Sequence, residues 1–437
     1  MRAMVARNRQ QLFEPPLSTA DELAAAMTAA ERGRRDVVAM YSTDRIVTAL
    51  ARAAADWLRP DEPLRGFAID AVARATGFHR DMIATGIDYI FSAVTADGLQ
   101  RLAGAEHSAR ATVPGAVFYA LAGNVPGQGI PAIGRALVAG SIAIVRDSER
   151  QPVITAAFRE TLRRHEPALA AMVIPVAWSH RSGDRALESA VIKAAARVEL
   201  YGSDRTVADL AARYRTDASG ICELHGARVS AGLVPPGADL AQAARGFAVD
   251  LAMYEGRGCL TPHVILVEGA GSRASELADA LGHELGACEA RWPRARGTIE
   301  EECDRRRFID DAEMRALVAR SDRPNAERCL MGPSSAWCVH QSSDPTITLG
   351  PGLRCVRVAA VADRAVAIAA LRAANPPLAG VGVAGTPTGG DSSGADDAAL
   401  STALRAAGAT LVCPAGRMQA PPIDWRPDAR VTEVTRR

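Results

Sequence analysis

Over the first 110 residues, apolar positions recur at intervals of three and four, over 44–57, 66–74 and 80–93. That spacing lines one face of a helix, so each stretch is predicted helical. Thr19-Ala20-Asp21-Glu22 has capping-box spacing ahead of an alanine-leucine run, and a helix is expected to start there. Pro60, Pro63, Gly66, Gly77 and Gly86 punctuate the series. From Val113 the pattern changes. Short apolar runs at 115–121, 142–145, 172–176, 197–201 and 229–233 read as strands, with helical periods at 130–139, 152–164, 186–196 and 206–214. A second series places strands at 263–268, 356–360, 381–384 and 410–412, and helices at 273–286 and 364–374. Strands alternating with helices of about ten residues predict βαβ units and a mostly parallel sheet, hence an α/β fold. The stretch 386–398, rich in Gly, Ser and Asp, is expected to form a surface loop.

Composition narrows the class. The chain has 437 residues, 48% hydrophobic and 23% charged, which suits a globular protein of two or three domains. Fifty-one basic against fifty acidic residues leave a net charge of +1, with no nucleic-acid footprint or polybasic membrane patch. Eight scattered cysteines without a CxxC pair predict reduced thiols and a cytoplasmic setting. The first residues lack the apolar core of a signal peptide, and no uncharged apolar run reaches the roughly 18 residues of a membrane span. His283-Glu284 starts like a zincin helix, but Ala287 stands where the second histidine belongs, so no metal is expected. The charge run at 300–307 is predicted to be a solvated helix face, its acids ahead of its bases as the helix dipole favours.

Four segments carry candidate chemistry. Cys259 lies in Glu255-Gly256-Arg257-Gly258-Cys259-Leu260-Thr261-Pro262, a glycine-lined turn after a helical pattern at 240–254 and before a strand. A thiol there is a strong nucleophile, and its turn leaves a backbone N–H free to donate. In Ala122-Gly123-Asn124-Val125-Pro126-Gly127-Gln128-Gly129, two readings compete. Gly127-x-Gly129-x-x-Ala132 has dinucleotide-fingerprint spacing, with Asp147 as the ribose acid. Alternatively Asn124 is an amide donor to an oxyanion, or simply caps a turn. Gly202-Ser203 ends one strand and opens a helix, where free N–H groups suit a pyrophosphate; an ordinary cap by Ser203 or Asp204 is the structural alternative. Glu223-Leu224-His225-Gly226 offers a carboxylate and an imidazole ahead of a strand.

In order, Asn124, Gly202-Ser203, Glu223 and Cys259 resemble the layout of the aldehyde dehydrogenase superfamily. Closer local similarity lies in Ala-Gly-Asn-Val-Pro-Gly (122–127), Glu-Leu-Tyr-Gly-Ser-Asp (199–204), Gly-Cys-Leu-Thr-Pro-His (258–263) and Gly-Arg-Met-Gln-Ala-Pro-Pro-Ile-Asp-Trp (416–425). These resemble the LuxC-type acyl-CoA and acyl-protein thioester reductases. The resemblance implies an aldehyde dehydrogenase-like fold: a helical region over 1–110, a Rossmann-type dinucleotide-binding domain over 111–234, a catalytic thiol domain over 235–425 and a tail over 426–437.

The activity it implies is reduction of an acyl thioester, on CoA or on a carrier protein, to an aldehyde through an acyl group on Cys259. Asn124 and the Cys259 N–H would hold the oxyanion, and Glu223 would shuttle a proton. Gly202 and Ser203 would receive the cofactor. Arg146 stands where the family often has a lysine; a guanidinium there could pair with a 2′-phosphate, favouring NADPH without excluding NADH. Ile347 falls where a ribose-binding glutamate is usual. The implied partners are the acyl thioester, an acyl-protein synthetase and further copies of the chain. Two rivals remain, an oxidative aldehyde dehydrogenase with Glu223 activating water, and a non-catalytic acyl-holding subunit.

Overall fold

A computed structural model describes residues 12–110, 115–151, 153–178, 185–217, 220–319, 327–385 and 394–434. Five helices lead: Ala20–Met40, Thr43–Leu58, Pro63–Thr76, Arg80–Ala93 and Ala96–Arg110. Thr19 caps the first through the expected box, its Oγ1 accepting from the Glu22 N–H while the Glu22 carboxylate accepts from the Thr19 N–H, each at 3.2 Å. These helices share one core with the first sheet. Trp57 stacks on Phe91, ring centroids 4.6 Å apart, and donates its indole N–H to Thr161 at 3.0 Å.

The strands are β1 (Ala116–Ala120), β2 (Ile142–Arg146), β3 (Val173–Val176), β4 (Ala195–Tyr201), β5 (Gly220–His225), β6 (Val229–Val234), β7 (Pro262–Glu268), β8 (Arg328–Met331), β9 (Cys338–Ser342), β10 (Cys355–Val361), β11 (Leu378–Val383), β12 (Leu411–Pro414) and β13 (Arg430–Val434). They form two sheets, ordered β13-β5-β4-β1-β2-β3 and β12-β11-β6-β7-β10-β9-β8. Each is parallel apart from one antiparallel edge strand, β13 against β5 and β8 against β9. In the first sheet the chain runs outward from β1 through β2 and β3, then returns to β1's other side with β4 and β5. The β1/β4 boundary is therefore a topological switch point, the position where open α/β sheets bind ligands.

Three expectations need correction. β6 pairs with β7 and β11, so it belongs to the second sheet and not to the 111–234 unit. Its apolar run is the same in either sheet; only long-range pairing decides. The presumed tail at 426–437 includes β13, which completes the first sheet. Residues 394–398, expected in a loop, begin the helix Gly394–Ala406, while 386–393 lie outside the described residues. Glu223 stands ahead of β6 as expected, but it also lies within β5, a strand that the apolar pattern did not mark.

The C-terminal segment is pinned to the helix Leu240–Ala252. The buried Asp250 carboxylate accepts from the N–H groups of Gly416, at 2.6 Å, and Met418, at 3.0 Å. Gly246 allows that approach, since a Cβ there would lie 2.8 Å from the Ala415 carbonyl carbon and oxygen. Gly246→Ala is expected to destabilise the fold by about 1–3 kcal/mol, because the obstacle is backbone. A lowered denaturation midpoint at unchanged slope checks this.

Candidate active site

The cysteine turn is held by strained backbone and a buried ion pair. The helix before it stops at Ala252, and Tyr254, Glu255 and Gly256 take left-handed φ values of 52°, 57° and 64°. A second left-handed triplet, Gly352, Leu353 and Arg354, at 67°, 50° and 60°, packs against the first. Leu353 donates its N–H to the Glu255 carbonyl at 2.8 Å. Glu255 and Arg354 side chains are fully buried and joined by two hydrogen bonds of 3.0 Å. Arg354 also donates to the Trp292 carbonyl and to Glu289, each at 2.6 Å, while the Ala295 N–H reaches Glu255 at 3.2 Å. Such an ion pair is tolerated only when its donors and acceptors are satisfied, as here.

The turn that follows carries Cys259. Thr261 N–H donates to the Gly258 carbonyl at 3.0 Å, and Ser230 Oγ donates to the Cys259 carbonyl at 2.8 Å. Asn124, after β1, donates its amide to the Arg257 carbonyl at 2.6 Å, which ties the first sheet to the cysteine turn. The second amide proton of Asn124 stays available, and its buried Oδ1 has no hydrogen-bond partner. Arg257 is clamped by Glu301 through bonds of 2.9 and 3.1 Å. The charge run at 300–307 is thus more than a solvated face: it opens the helix Ile299–Ala319, and Glu301 turns inward to this site.

Cys259 and Asn124 line one cavity of about 640 Å³. The carboxyl ends of β1, β2, β4 and β5 supply one side, with Gly123, Ser148, Gly202, Ser203 and Gly226 among the lining residues. The other side comes from the cysteine turn, 349–352, and the C-terminal segment with Gln419, Ile423 and Trp425. Gly258 lets Gln419 approach closely, since a Cβ there would meet its Oε1 at 2.7 Å and push the amide aside. Burial pushes the Cys259 thiol up to about 11, against the opposing pull of its own backbone N–H and of Arg228.

The other expected site residues divide. Gly202 and Ser203 line the cavity, and Ser203 also caps the helix Asp204–Asp217, its Oγ accepting from the Thr206 N–H at 3.2 Å. Glu223 does not line it. Arg197 and Arg426 grip its carboxylate, the latter at 2.7 Å. Arg146 is also absent from the lining; its guanidinium lies over the Trp178 ring, 4.9 Å from the centroid. Asp147, the alternative ribose acid, caps the helix Ile154–His165 through Thr155, at 3.1 Å to N–H and 2.8 Å to the hydroxyl. Burial lifts its carboxyl to about 6. Ile347 is fully buried in the core.

Beneath the cavity lies a cluster that sequence reasoning missed. Glu199, Glu223 and His225 gather closely enough to suggest a metal site. Arg135, Arg197 and Arg426 already surround the two carboxylates, with separations of 3.6, 3.4 and 3.6 Å to Glu199. Burial would raise Glu199, but these arginines hold it below the ordinary carboxylate range. Guanidinium groups thus fill the role of the cation, and His225 stacks flat on Tyr201 at 4.1 Å. No spacing rule could have found this cluster, because its members converge from β4, β5, the helix Gly129–Val138 and the segment ahead of β13.

The raised Cys259 thiol has a direct consequence. Thiolate is the reactive form, so alkylation of Cys259 by iodoacetamide in the ligand-free protein is expected to be slow at pH 7. It should rise about tenfold per pH unit toward pH 10, as for any group below its pKa. Site-resolved mass spectrometry checks this; a plateau by pH 8 would mean a lowered thiol.

The open, glycine-lined switch point fits a dinucleotide, and solved structures of similar fold hold one. The chain is similar to a benzaldehyde dehydrogenase of Corynebacterium glutamicum, described as NAD-dependent (TM-score 0.62, 14% identity, covering 96% of this chain and 90% of that one). It is similar to a glyceraldehyde-3-phosphate dehydrogenase of Methanocaldococcus jannaschii complexed with NADP (TM-score 0.60, 11% identity, 96% of each chain). It is also similar to a succinic semialdehyde dehydrogenase of Streptococcus pyogenes with NADP+ (TM-score 0.61, 13% identity, 90% and 86%). No curated protein matches the chain. Among the described residues, no helix is long and apolar enough to cross a membrane. The acyl-CoA reductase (LuxC) family matches residues 38–426. With that match across most of its length and an aldehyde dehydrogenase fold around its cysteine cavity, the chain belongs to the LuxC family of acyl-CoA reductases and is an oxidoreductase of aldehyde and acyl groups.

Proposed function

We propose that this protein reduces an acyl thioester, carried on CoA or on a protein, to the aldehyde, with Cys259 holding the acyl group and NADPH as reductant. The observation that carries this proposal is the pairing of Cys259 and Asn124 in one cavity from which Glu223 is withdrawn. A hydrolytic aldehyde dehydrogenase needs a base at the acyl group to activate water. Here Glu223 is held by Arg197 and Arg426, and the acids that line the cavity are Glu301, clamped to Arg257, and Asp428. A site of this kind favours passing the acyl group onward over hydrolysing it.

Cys259 attacks the thioester carbonyl, and the oxyanion is received by the free amide proton of Asn124 and the Cys259 backbone N–H. One such donor is worth about 100-fold in rate. Burial keeps the resting thiol protonated, so its proton leaves as the bond to the carbonyl carbon forms and ends on the departing thiol. The resulting thioester on Cys259 is protected by the apolar walls, Ile90, Val125, Leu260 and Ile423 among them, which exclude water. A reduced nicotinamide, when bound, would supply a hydride to the carbonyl carbon of this thioester; the carbon–sulfur bond to Cys259 then breaks, the aldehyde leaves, and the Cys259 sulfur takes a proton from water. Gly202, Ser203 and the glycines after β1 and β5 are the residues that would hold such a cofactor.

NADPH as the reductant rests on Arg146, at the end of β2. For that role its guanidinium would have to leave the Trp178 ring over which it lies. Arg146→Ala is expected to weaken NADPH far more than NADH in calorimetry; equal losses would assign Arg146 to packing. For the reaction itself, the chain is incubated with a panel of acyl thioesters, weighed intact, then chased with NADPH. Cys259→Ala is expected to take up no acyl group and release no aldehyde, and acylation of that variant would overturn the assignment of the nucleophile.

A further inference from the structure

His263 lines the same cavity as Cys259, four positions further along the chain at the start of β7, and only 8% of it is exposed. The Gly350 N–H donates to its Nδ1 at 3.0 Å. A ring nitrogen that accepts carries no proton, so the proton of the neutral ring sits on Nε2. Burial pushes this imidazole down to about 4, which keeps it neutral near pH 7. Nε2–H is therefore a fixed donor, and it has no partner within the protein. Nε2 is not fully enclosed, so water in the cavity can satisfy it until an acceptor on a ligand takes that water's place.

Three of the cations that line the cavity are already paired. Arg135 pairs with Glu199 at 3.6 Å, Arg228 with Asp428 at 3.9 Å and Arg257 with Glu301 at 2.9 Å. Asn124 serves the Arg257 carbonyl and, in the proposed reaction, the oxyanion. The departing sulfur needs a donor, and His263 presents one whose proton position the Gly350 N–H fixes. The burial that lifts the Cys259 thiol to about 11 opposes any thiolate formed beside it.

We propose that His263 is a catalytic residue whose Nε2–H hydrogen-bonds the sulfur of the departing thiol, an inference that rests on the proposed acylation of Cys259. In that step the Cys259 sulfur bonds to the carbonyl carbon. The carbon–sulfur bond to the carrier breaks, and its electron pair stays on the departing sulfur. The proton released by Cys259 ends there too, so nothing is oxidised or reduced. His263 keeps its own proton throughout. A neutral imidazole is a poor acid, and it acts as a preorganised dipole toward the developing charge.

The test times acylation of Cys259 by intact mass, using two thioesters of the same acyl group: the CoA ester and an aryl thioester with a much better leaving group. His263→Leu is expected to slow the CoA ester by about 100-fold and to leave the aryl ester nearly unaffected, because an arenethiolate needs little stabilisation. His263→Gln, which keeps an amide donor near Nε2, is expected to restore most of the CoA-ester rate. NADPH binding by each variant, measured by calorimetry, reports an intact fold. If the Leu variant does not fold, the Gln variant carries the comparison, and a ratio of CoA-ester to aryl-ester rates far below wild type overturns the role. Equal slowing of both esters by the Leu variant, or no slowing, also overturns it while acylation itself stands. A wild-type chain that neither ester acylates removes the underlying reductase proposal, and the role of His263 with it.

Discussion

Glu255 and Arg354 meet without access to water, and the shape of the cysteine site follows from that contact. Each belongs to a left-handed triplet, and four of the six residues involved are not glycine. Left-handed backbone costs such residues about 1–2 kcal/mol apiece, so neither triplet would persist alone. The fully bonded ion pair, with the Leu353 to Glu255 backbone bond beside it, holds both in place. It ends the helix Leu240–Ala252 abruptly and aims the next residues, Arg257 to Cys259, at the first sheet. Strain of this kind concentrates where a reactive group must be held in one orientation.

The rest of the cavity is arranged around that fixed point. The carboxyl ends of the first sheet's strands face the amino end of β7, so the switch point and the thiol on the second sheet open on one space. Asn124 crosses the gap to the Arg257 carbonyl. The C-terminal segment closes over the space, fastened by Asp250, whose carboxyl burial lifts to about 8. Its residues Gln419, Ile423 and Trp425 make part of the wall, which is why a motif so far along the chain belongs with the cysteine motif. The buried cluster of Arg135, Arg197, Arg426, Glu199 and Glu223 stiffens the floor below Tyr201 and His225.

Local signals in the chain were reliable wherever the physics is local. The capping box at Thr19, the helices of the first 110 residues and most parallel strands appear where periodicity placed them, within a few residues. β8 and β9 gave no such signal. Cys338-Val339-His340-Gln341-Ser342 is buried but half polar; it is a strand through its pairing with β10 and β8, and Glu327 satisfies His340 and Ser342 at 2.8 and 3.2 Å. Cys259 and Asn124 could be picked out because their glycine-rich turns are themselves sequence features. His263 stood in plain view within Gly-Cys-Leu-Thr-Pro-His, but a lone histidine says nothing until its Nδ1 partner is known.

By itself the sequence determined the α/β class and the family, and it singled out the glycine-rich turns that carry Cys259 and Asn124. Each of these depends on residue identity or on spacing within a few positions. Only the tertiary structure decided that β6 belongs to the second sheet, that the last strand returns to the first, and that Glu223 and Arg146 turn away from the cavity. Those outcomes depend on pairings between residues far apart in the chain, 203 positions in the case of Arg426 and Glu223. A carboxylate looks the same in sequence whether water or two guanidinium groups will surround it, and folding alone chooses between them.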